Sequence, residues 1–276
     1  MSELSNREWK ELEKLKQKSA YTKLSQPEQR RLEKLEGIHS NQQKQVEKDK
    51  WSNDRSLKAQ QLELKPMNKH QADFIAAMDN CIISVGTGSS GTGKTYLACR
   101  YAAKELLAGN IKKIIIARPY VALAGRDIGF RPNSELEKLR SFVRPMLGYL
   151  SDVLGVAMVE QQVSTEGGKI QLQALDAIRG MSYDNAIVLI DEASNLTVGE
   201  VQAITTRLGK NCRLILTGDN AQSDTQHNGL RWFEDLVKKH YIQDVGVVRF
   251  NHDDIVRSGM VKQLVIAFER EGGYLK

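Results

Sequence analysis

The chain has 276 residues and a mass of 31.0 kDa, enough for one medium α/β domain with an appendage or two small domains, and cramped for both lobes of a helicase. With 41% apolar and 27% charged residues it can bury a core, and 40 basic against 34 acidic residues leave a net charge of +6, which permits a nucleic-acid partner without identifying one. The start is charged from Glu3 onward, apolar runs such as Ala186 to Ile190 are too short to cross a bilayer, and Cys81, Cys99 and Cys212 lack metal-ligand spacing, so a cytoplasmic protein with reduced core cysteines is expected.

The first sixty or so residues are rich in Lys, Glu, Gln and Ser and carry a short repeat. Leu4-Ser5, Glu8 and Leu12-Glu13-Lys14-Leu15 recur twenty residues on as Leu24-Ser25, Glu28 and Leu32-Glu33-Lys34-Leu35. In each copy a serine precedes a glutamate by three, the signature of a capping box, and Pro27 sits in a first turn where a missing N–H costs little. Two short helices in a hairpin are predicted. From His39 to Leu62 the sequence is polar without a sustained apolar stripe, which reads as a solvated helix or linker, either a tether or docking arm or a contact for nucleic acid or another partner. The division expected is an extension over residues 1–62 and a second domain over 63–276.

From Leu64 apolar runs alternate with helical segments, the pattern of a mostly parallel sheet flanked by helices. Gln71, after Lys65-Pro66-Met67-Asn68, precedes the first run and is placed either to read an adenine edge with its amide or to serve as an ordinary helix residue. The first strand, Cys81 to Val85, leads into Gly88-Ser89-Ser90-Gly91-Thr92-Gly93-Lys94-Thr95, a match to GxxxxGK[ST] in one register only. Glycines let such a loop wrap until its N–H groups point at phosphate oxygens, and the following helix adds its positive end. Lys94 is then expected to reach the β and γ phosphates of ATP, and Thr95 to ligate Mg²⁺.

A helix over Tyr96 to Leu107 is expected to stop at Gly109-Asn110, before a strand from Ile114 to Ala117 that ends on Arg118. Arg126, Arg131, Lys138, Arg140 and Arg144 follow, interleaved with Asp127, Glu135 and Glu137, and suit either a nucleic-acid channel or a solvated face. The stretch Val156 to Leu175 alternates and contains Gly167-Gly168, which predicts a hairpin at the sheet's edge. The strand Ala186 to Ile190 ends in Asp191-Glu192, two adjacent acids that repel one another unless a cation or substrate compensates them. Asp191 is the expected magnesium-side group and Glu192 the base that activates water, which favours hydrolysis over phosphoryl transfer to another acceptor. Thr197 and Glu200 form a further capping box before Val201, Ile204 and Leu208, with Gly209 placed to end that helix. The strand Leu214 to Leu216 is followed by Gly218-Asp219 and Gln222, a residue placed either at the γ-phosphate or in a plain turn. Four strand ends bearing polar groups should converge on one site, because ligands in open α/β sheets sit beyond the carboxyl ends of the strands.

These blocks together resemble the PhoH-like family, phosphate-starvation-inducible ATPases whose core is similar to the first RecA-like domain of superfamily-one helicases. The resemblance runs from about Leu64 to Glu269. It rests on the P-loop, Ile116-Ala117-Arg118-Pro119, Gly125, Ile128-Gly129-Phe130, Ile178-Arg179-Gly180, Asp191 to Asn195, Thr206 to Gly209, Gly218-Asp219 with Gln222 and Asp224, and Asp254-Ile255-Val256-Arg257. It implies a RecA-like P-loop core with an N-terminal helical extension, ATP and Mg²⁺ as ligands, a homo-oligomeric ring, most simply a hexamer, and coupling to RNA or single-stranded DNA. In a ring the charge-stabilising arginine comes from a neighbouring subunit; Arg207 and Arg257 are the first candidates, then Arg118 and Arg179, each of which also suits an ordinary ion pair. The sequence departs from the family pattern at Ser194, Arg126 and Arg131-Pro132-Asn133, none of them a phosphate or magnesium ligand. A P-loop kinase of a small metabolite and a nucleotide-dependent scaffold remain the alternatives.

Overall fold

The computed structural model describes residues 5–22, 24–39, 62–119, 135–164, 167–178, 181–220 and 228–271. The linker expected between His39 and Leu62, apart from its end residues, lies outside them, as do Arg126, Arg131, Arg179 and Gln222. The chain divides into two compact units, Met1–Lys58 and Ala59–Lys276.

In the first unit, helix α1 (Asn6–Tyr21) starts on the box read from the sequence: the Ser5 hydroxyl accepts from the Glu8 N–H, and the Glu8 carboxylate accepts from the Ser5 N–H at 3.0 Å. Helix α2 (26–39) repeats the return bond, Ser25 N–H to Glu28 at 3.0 Å. Leu12, Leu15 and Leu35 of the two helices, with Leu24 just ahead of α2, bury together in one small cluster. Arg31 with Glu11 (3.0 Å) and Lys18 with Glu28 (2.6 Å) pair across the hairpin, adding little in such exposed settings.

The second unit is an α/β layer structure. Its strands are β1 (Ile83–Gly88), β2 (Lys113–Ala117), β3 (Ile170–Leu172), β4 (Ala186–Ile190), β5 (Cys212–Gly218) and β6 (Val245–Phe250), ordered β3-β2-β4-β5-β1-β6 and all parallel. Period-two alternation sends Ile114, Ile116, Ile187, Leu189 and Ile215 into one core, and Ile115, Val188, Ile190, Leu214 and Leu216 into another. Helices α3 (Lys69–Asn80), α4 (Lys94–Ala108), α6 (Arg144–Leu154) and α7 (Val156–Ser164) contribute Phe74, Leu97, Leu150 and Val159 to the first core. Helices α9 (Val198–Thr205) and α10 (Gly229–His240) contribute Val201, Ile204, Leu230 and Phe233 to the second. Short α5 (Glu135–Phe142) and α8 (Leu175–Ile178) connect, and α11 (Gly259–Arg270) closes the described chain. This is the α/β, parallel sheet flanked by helices that the sequence predicts.

Three local expectations are corrected. Val156 to Leu175 is no hairpin: it folds as α7 followed by β3, which pairs parallel with β2 at the sheet's edge. Val159 and Val163 lie four apart and both bury, so the helical period prevails over the apparent alternation. Helix α9 stops at Thr205, well before Gly209, because the chain turns to bridge Leu208 with Tyr183 and Gly209 donates to the Tyr183 carbonyl at 2.9 Å. The interrupted run Val245-Gly246-Val247-Val248 forms β6, a strand not anticipated, since Gly246 is there to let β6 approach Ala77 on α3. Among the cysteines, all free, Cys99 and Cys212 are buried while Cys81 is partly exposed.

Candidate active site

Strand β1 delivers the P-loop to the carboxyl edge of the sheet, and the pairings Thr87 with Gly218, Leu216 with Ile190 and Ile190 with Ala117 keep the neighbouring strand ends level with it. Residues Ser90 to Thr95 therefore face Asp191, Glu192, Gly218 and Asp219 across one cleft, which Arg257, Tyr96 and Tyr149 complete. Gly88 has φ +119° and is paired with Phe250, whose carbonyl oxygen a Cβ would overlap, so no other residue fits where β1 turns into the loop. The loop ends on Gly93 in the left-handed region, and α4 begins at Lys94 with no side-chain cap, which leaves its first N–H groups facing the cleft.

Lys94 is largely buried, and its ammonium donates to the carbonyls of Gly88 and Ser89, both at 2.7 Å, and to the Thr92 hydroxyl at 3.1 Å. The next residue ties the start of α4 to the end of β4: the Thr95 hydroxyl donates to Asp191 Oδ1 at 2.8 Å, and Thr217 on β5 donates to the same oxygen at 2.8 Å. A hydroxyl and a carboxylate oxygen side by side are the hard ligands that suit Mg²⁺, and the amide-lined loop with its lysine suits a polyphosphate, so this donor set fits both expected ligands.

Glu192 has left-handed backbone angles, φ 56° and ψ 34°, a strained conformation for a side chain of this kind and one that collects at functional sites. Burial raises its pKa above the ordinary carboxylate value and the neighbouring Asp191 charge adds to this, while Arg118 and Lys94 oppose it. Arg118 holds Glu192 Oε1 at 3.0 Å and donates its other nitrogen to the Phe142 carbonyl at 2.9 Å. Arg118, a second-rank candidate for action between subunits that equally suits an ordinary ion pair, pairs here with Glu192 of its own chain.

The loop is also gripped from outside. Gln71 is buried; its amide nitrogen donates to the Thr92 carbonyl at 3.0 Å and its oxygen accepts from the Met67 N–H at 2.8 Å, so both ends of the group expected to read adenine are engaged within the chain. On the far side the Val256 N–H donates to the Gly91 carbonyl at 3.1 Å, and a Cβ on Gly91 would lie 2.9 Å from Arg257 Nε. His70 Nδ1 lies 2.7 Å from Asp254 Oδ2, joining α3 to the turn that carries Arg257.

The remaining candidates among the described residues are not gathered here. Arg207 sits in the turn after α9, its carbonyl accepting from the Tyr183 N–H at 3.1 Å, near where β4 begins and therefore at the opposite edge of the sheet from the P-loop. Ser194 is buried in the turn Ala193–Asn195, Arg140 pairs with Glu160, and Gln222 is outside the described residues. Thr217, Tyr96 and Tyr149 were not foreseen. Thr217, one residue before the Gly218-Asp219 strand end, carried a local signal; Tyr149 carried none.

A family model described as PhoH-like protein matches residues 63–269. The PhoH-like protein of Bacillus subtilis (strain 168) is 34% identical over 220 residues, which are 79% of this chain and 67% of that protein. Protein PhoH of Escherichia coli (strain K12) is 31% identical over 202 residues, 73% of this chain and 57% of that one. The matches thus span between 57% and 67% of these relatives' lengths. Among solved structures, the HK97 bacteriophage large terminase aligns with a TM-score of 0.46 at 14% identity, covering 76% of this chain and 48% of its own.

Proposed function

Because the chain belongs to the PhoH-like protein family, we propose that it is a magnesium-dependent ATPase that binds its triphosphate at Gly88 to Thr95 and hydrolyses it from the side of Asp191 and Glu192. The observation that carries this reading is the 2.8 Å bond from Thr95 to Asp191, which ties the P-loop to an acid 96 residues away and sets Glu192 beside it. Lys94, held over the loop by three oxygens, supplies positive charge to the phosphates, and the N–H groups of the loop and of α4 supply the remaining donors. A magnesium ion held by Thr95 and Asp191 would supply Lewis-acid stabilisation of the phosphoryl oxygens when bound. Glu192 accepts the proton of the attacking water at a carboxylate oxygen; its raised proton affinity suits that task, and Arg118 fixes its orientation. Gln222 is assigned to the same water or the γ-phosphate.

Arg257 lines its own chain's cleft and is assigned to phosphate charge there, whereas Arg207, at the other edge of the sheet, is suited only to a neighbouring copy's site. That division fits a homo-oligomeric ring, and the family resemblance extends the proposal to action on RNA or single-stranded DNA in the cytoplasm. Among the described residues no helix is long and apolar enough to cross a membrane. Phosphate release by the purified chain, with and without Mg²⁺ and with single-stranded RNA or DNA added, tests the reading, alongside light scattering for subunit number. Turnover that needs Mg²⁺ and disappears in Lys94→Ala is expected. Tight nucleotide binding without phosphate release would leave a scaffold, and a phosphorylated acceptor would leave a kinase.

A further inference from the structure

Two side chains that the chemistry above leaves idle, His70 and Asp254, hold the turn that follows β6. Asp254 is only 4% exposed, and a carboxylate so deep in protein needs hydrogen-bond donors. Its Oδ2 accepts from the Asn251 N–H at 2.8 Å and lies 2.7 Å from His70 Nδ1, which is the donor because an ionised carboxylate only accepts. The Asp254 carbonyl accepts from the Asn68 side chain at 3.4 Å. Asn68 and His70 stand at the N-terminal end of α3, the same end from which Gln71 braces Thr92. Past Asp254 the chain buries Ile255, and the Val256 N–H then donates to the Gly91 carbonyl at 3.1 Å. The next side chain, Arg257, crosses the loop at Gly91, where a Cβ would lie 2.9 Å from its Nε and 3.0 Å from its Cδ, and so lines the cleft with Lys94, Thr95 and Asp191.

We propose that His70 and Asp254 are positioning residues for Arg257: their hydrogen bond sets the turn so that the arginine passes over Gly91 and meets the charge that develops on the phosphates. An arginine stem is long and flexible, and a displacement of about 1 Å at a reacting centre can cost about 10²-fold in rate, so the anchoring of its backbone matters to the reaction. Helix α3 then serves the site twice through adjacent residues, the loop through Gln71 and the arginine through His70. This role rests on the assignment of Arg257 to phosphate charge in its own chain's cleft. A pair that merely pinned α3 to the turn would act differently when lost: a slack loop binds nucleotide less well and raises KM, whereas a misdirected arginine lowers kcat.

Steady-state phosphate release from MgATP is measured for the unaltered full-length chain, His70→Ala, His70→Asn, His70→Gln, Arg257→Ala and the double variant His70→Ala with Arg257→Ala. Arg257→Ala should lower kcat by about 10³ or more, the low end for a charge-stabilising arginine. His70→Ala should lower kcat by about 10- to 100-fold while KM moves by less than about threefold. His70→Asn should recover most of that loss, because its amide nitrogen stands nearly where Nδ1 stood, and His70→Gln, whose amide matches Nε2 instead, should not. In the Arg257→Ala background the His70→Ala loss should vanish, since no arginine is left to misplace. No loss in His70→Ala, a loss confined to KM, a loss that persists without Arg257, or equal losses in His70→Asn and His70→Gln would each overturn the positioning role while the assignment of Arg257 stands. If His70→Ala does not fold, His70→Gln takes its place in the cycle with the same criteria. An unchanged kcat in Arg257→Ala would remove the arginine from the reaction and the positioning role with it, leaving the P-loop reading intact, whereas an unaltered chain that releases no phosphate would defeat that reading itself.

Discussion

Replacing Gln71 by leucine separates two roles that one buried amide can play. Leucine fills nearly the same volume but removes the donor to the Thr92 carbonyl (3.0 Å) and the acceptor for the Met67 N–H (2.8 Å), leaving both backbone groups in a site where Gln71 itself is only 3% exposed. A typical hydrogen bond contributes about 1 kcal/mol net, and a buried group left without a partner costs about 1–3 kcal/mol, so the pair should account for about 2–4 kcal/mol. In a domain of this size that corresponds to a fall in melting temperature of about 4–16 °C. Part of the loss will be local to the loop, so the affinities for ATP, GTP and tripolyphosphate should fall together. Differential scanning calorimetry with and without each ligand measures both effects. An unchanged melting temperature combined with a loss confined to ATP would refute the brace and return Gln71 to the adenine edge.

Glu192→Gln should retain nucleotide binding and lose turnover by about 10² or more, as expected for removal of a general base, and single-turnover phosphate release would show it. In the unaltered chain the acid limb of the pH–rate profile should lie above the ordinary carboxylate range, because burial and Asp191 raise the Glu192 pKa. Arg118→Gln removes a group that lowers that pKa, so the limb should move to higher pH; a limb that stays in place would detach Arg118 from Glu192. The sign for stability follows the same direction: Glu192 holds its proton more tightly folded than unfolded, so the stability it contributes at low pH is lost as pH rises through its two pKa values. Urea titrations at several pH values should show this slope in the parent and lose it in Glu192→Gln. Gly88→Ala forces a Cβ onto the Phe250 carbonyl at φ +119° and should cost at least about 1–3 kcal/mol, read from the urea midpoint; an unchanged midpoint would mean that β1 and β6 are not paired there.

The parts of this molecule that were legible in the sequence are those whose cause is local. The capping boxes at Ser5 and Thr197 are written in residues three apart, and both form. Apolar runs ending in Gly88, Arg118, Asp191 and Gly218 mark strands because a sheet buried on both faces needs continuous apolar residues. What escaped depends on distance along the chain. Gly246 weakens the pattern of β6, and only the approach of Ala77 and Cys81 explains it. Gln71 stayed open between a ligand-reading amide and an ordinary helix residue because the carbonyl it serves is 21 residues away, in a loop whose shape the sequence does not disclose. The Val156 to Leu175 error has the same origin: alternation and helical period overlap in a short segment, and the packing of Val159 and Val163 against the sheet decided between them.

The two external grips on the P-loop come from far apart in the chain, Gln71 ahead of β1 and Val256 beyond β6. Trimming this domain for biophysical work is therefore constrained at both boundaries. A version beginning after Gln71 or stopping short of Val256 would keep every residue of the GxxxxGK[ST] signature, yet its phosphate cradle would lose a buttress on one flank and should sample more shapes than the one that binds.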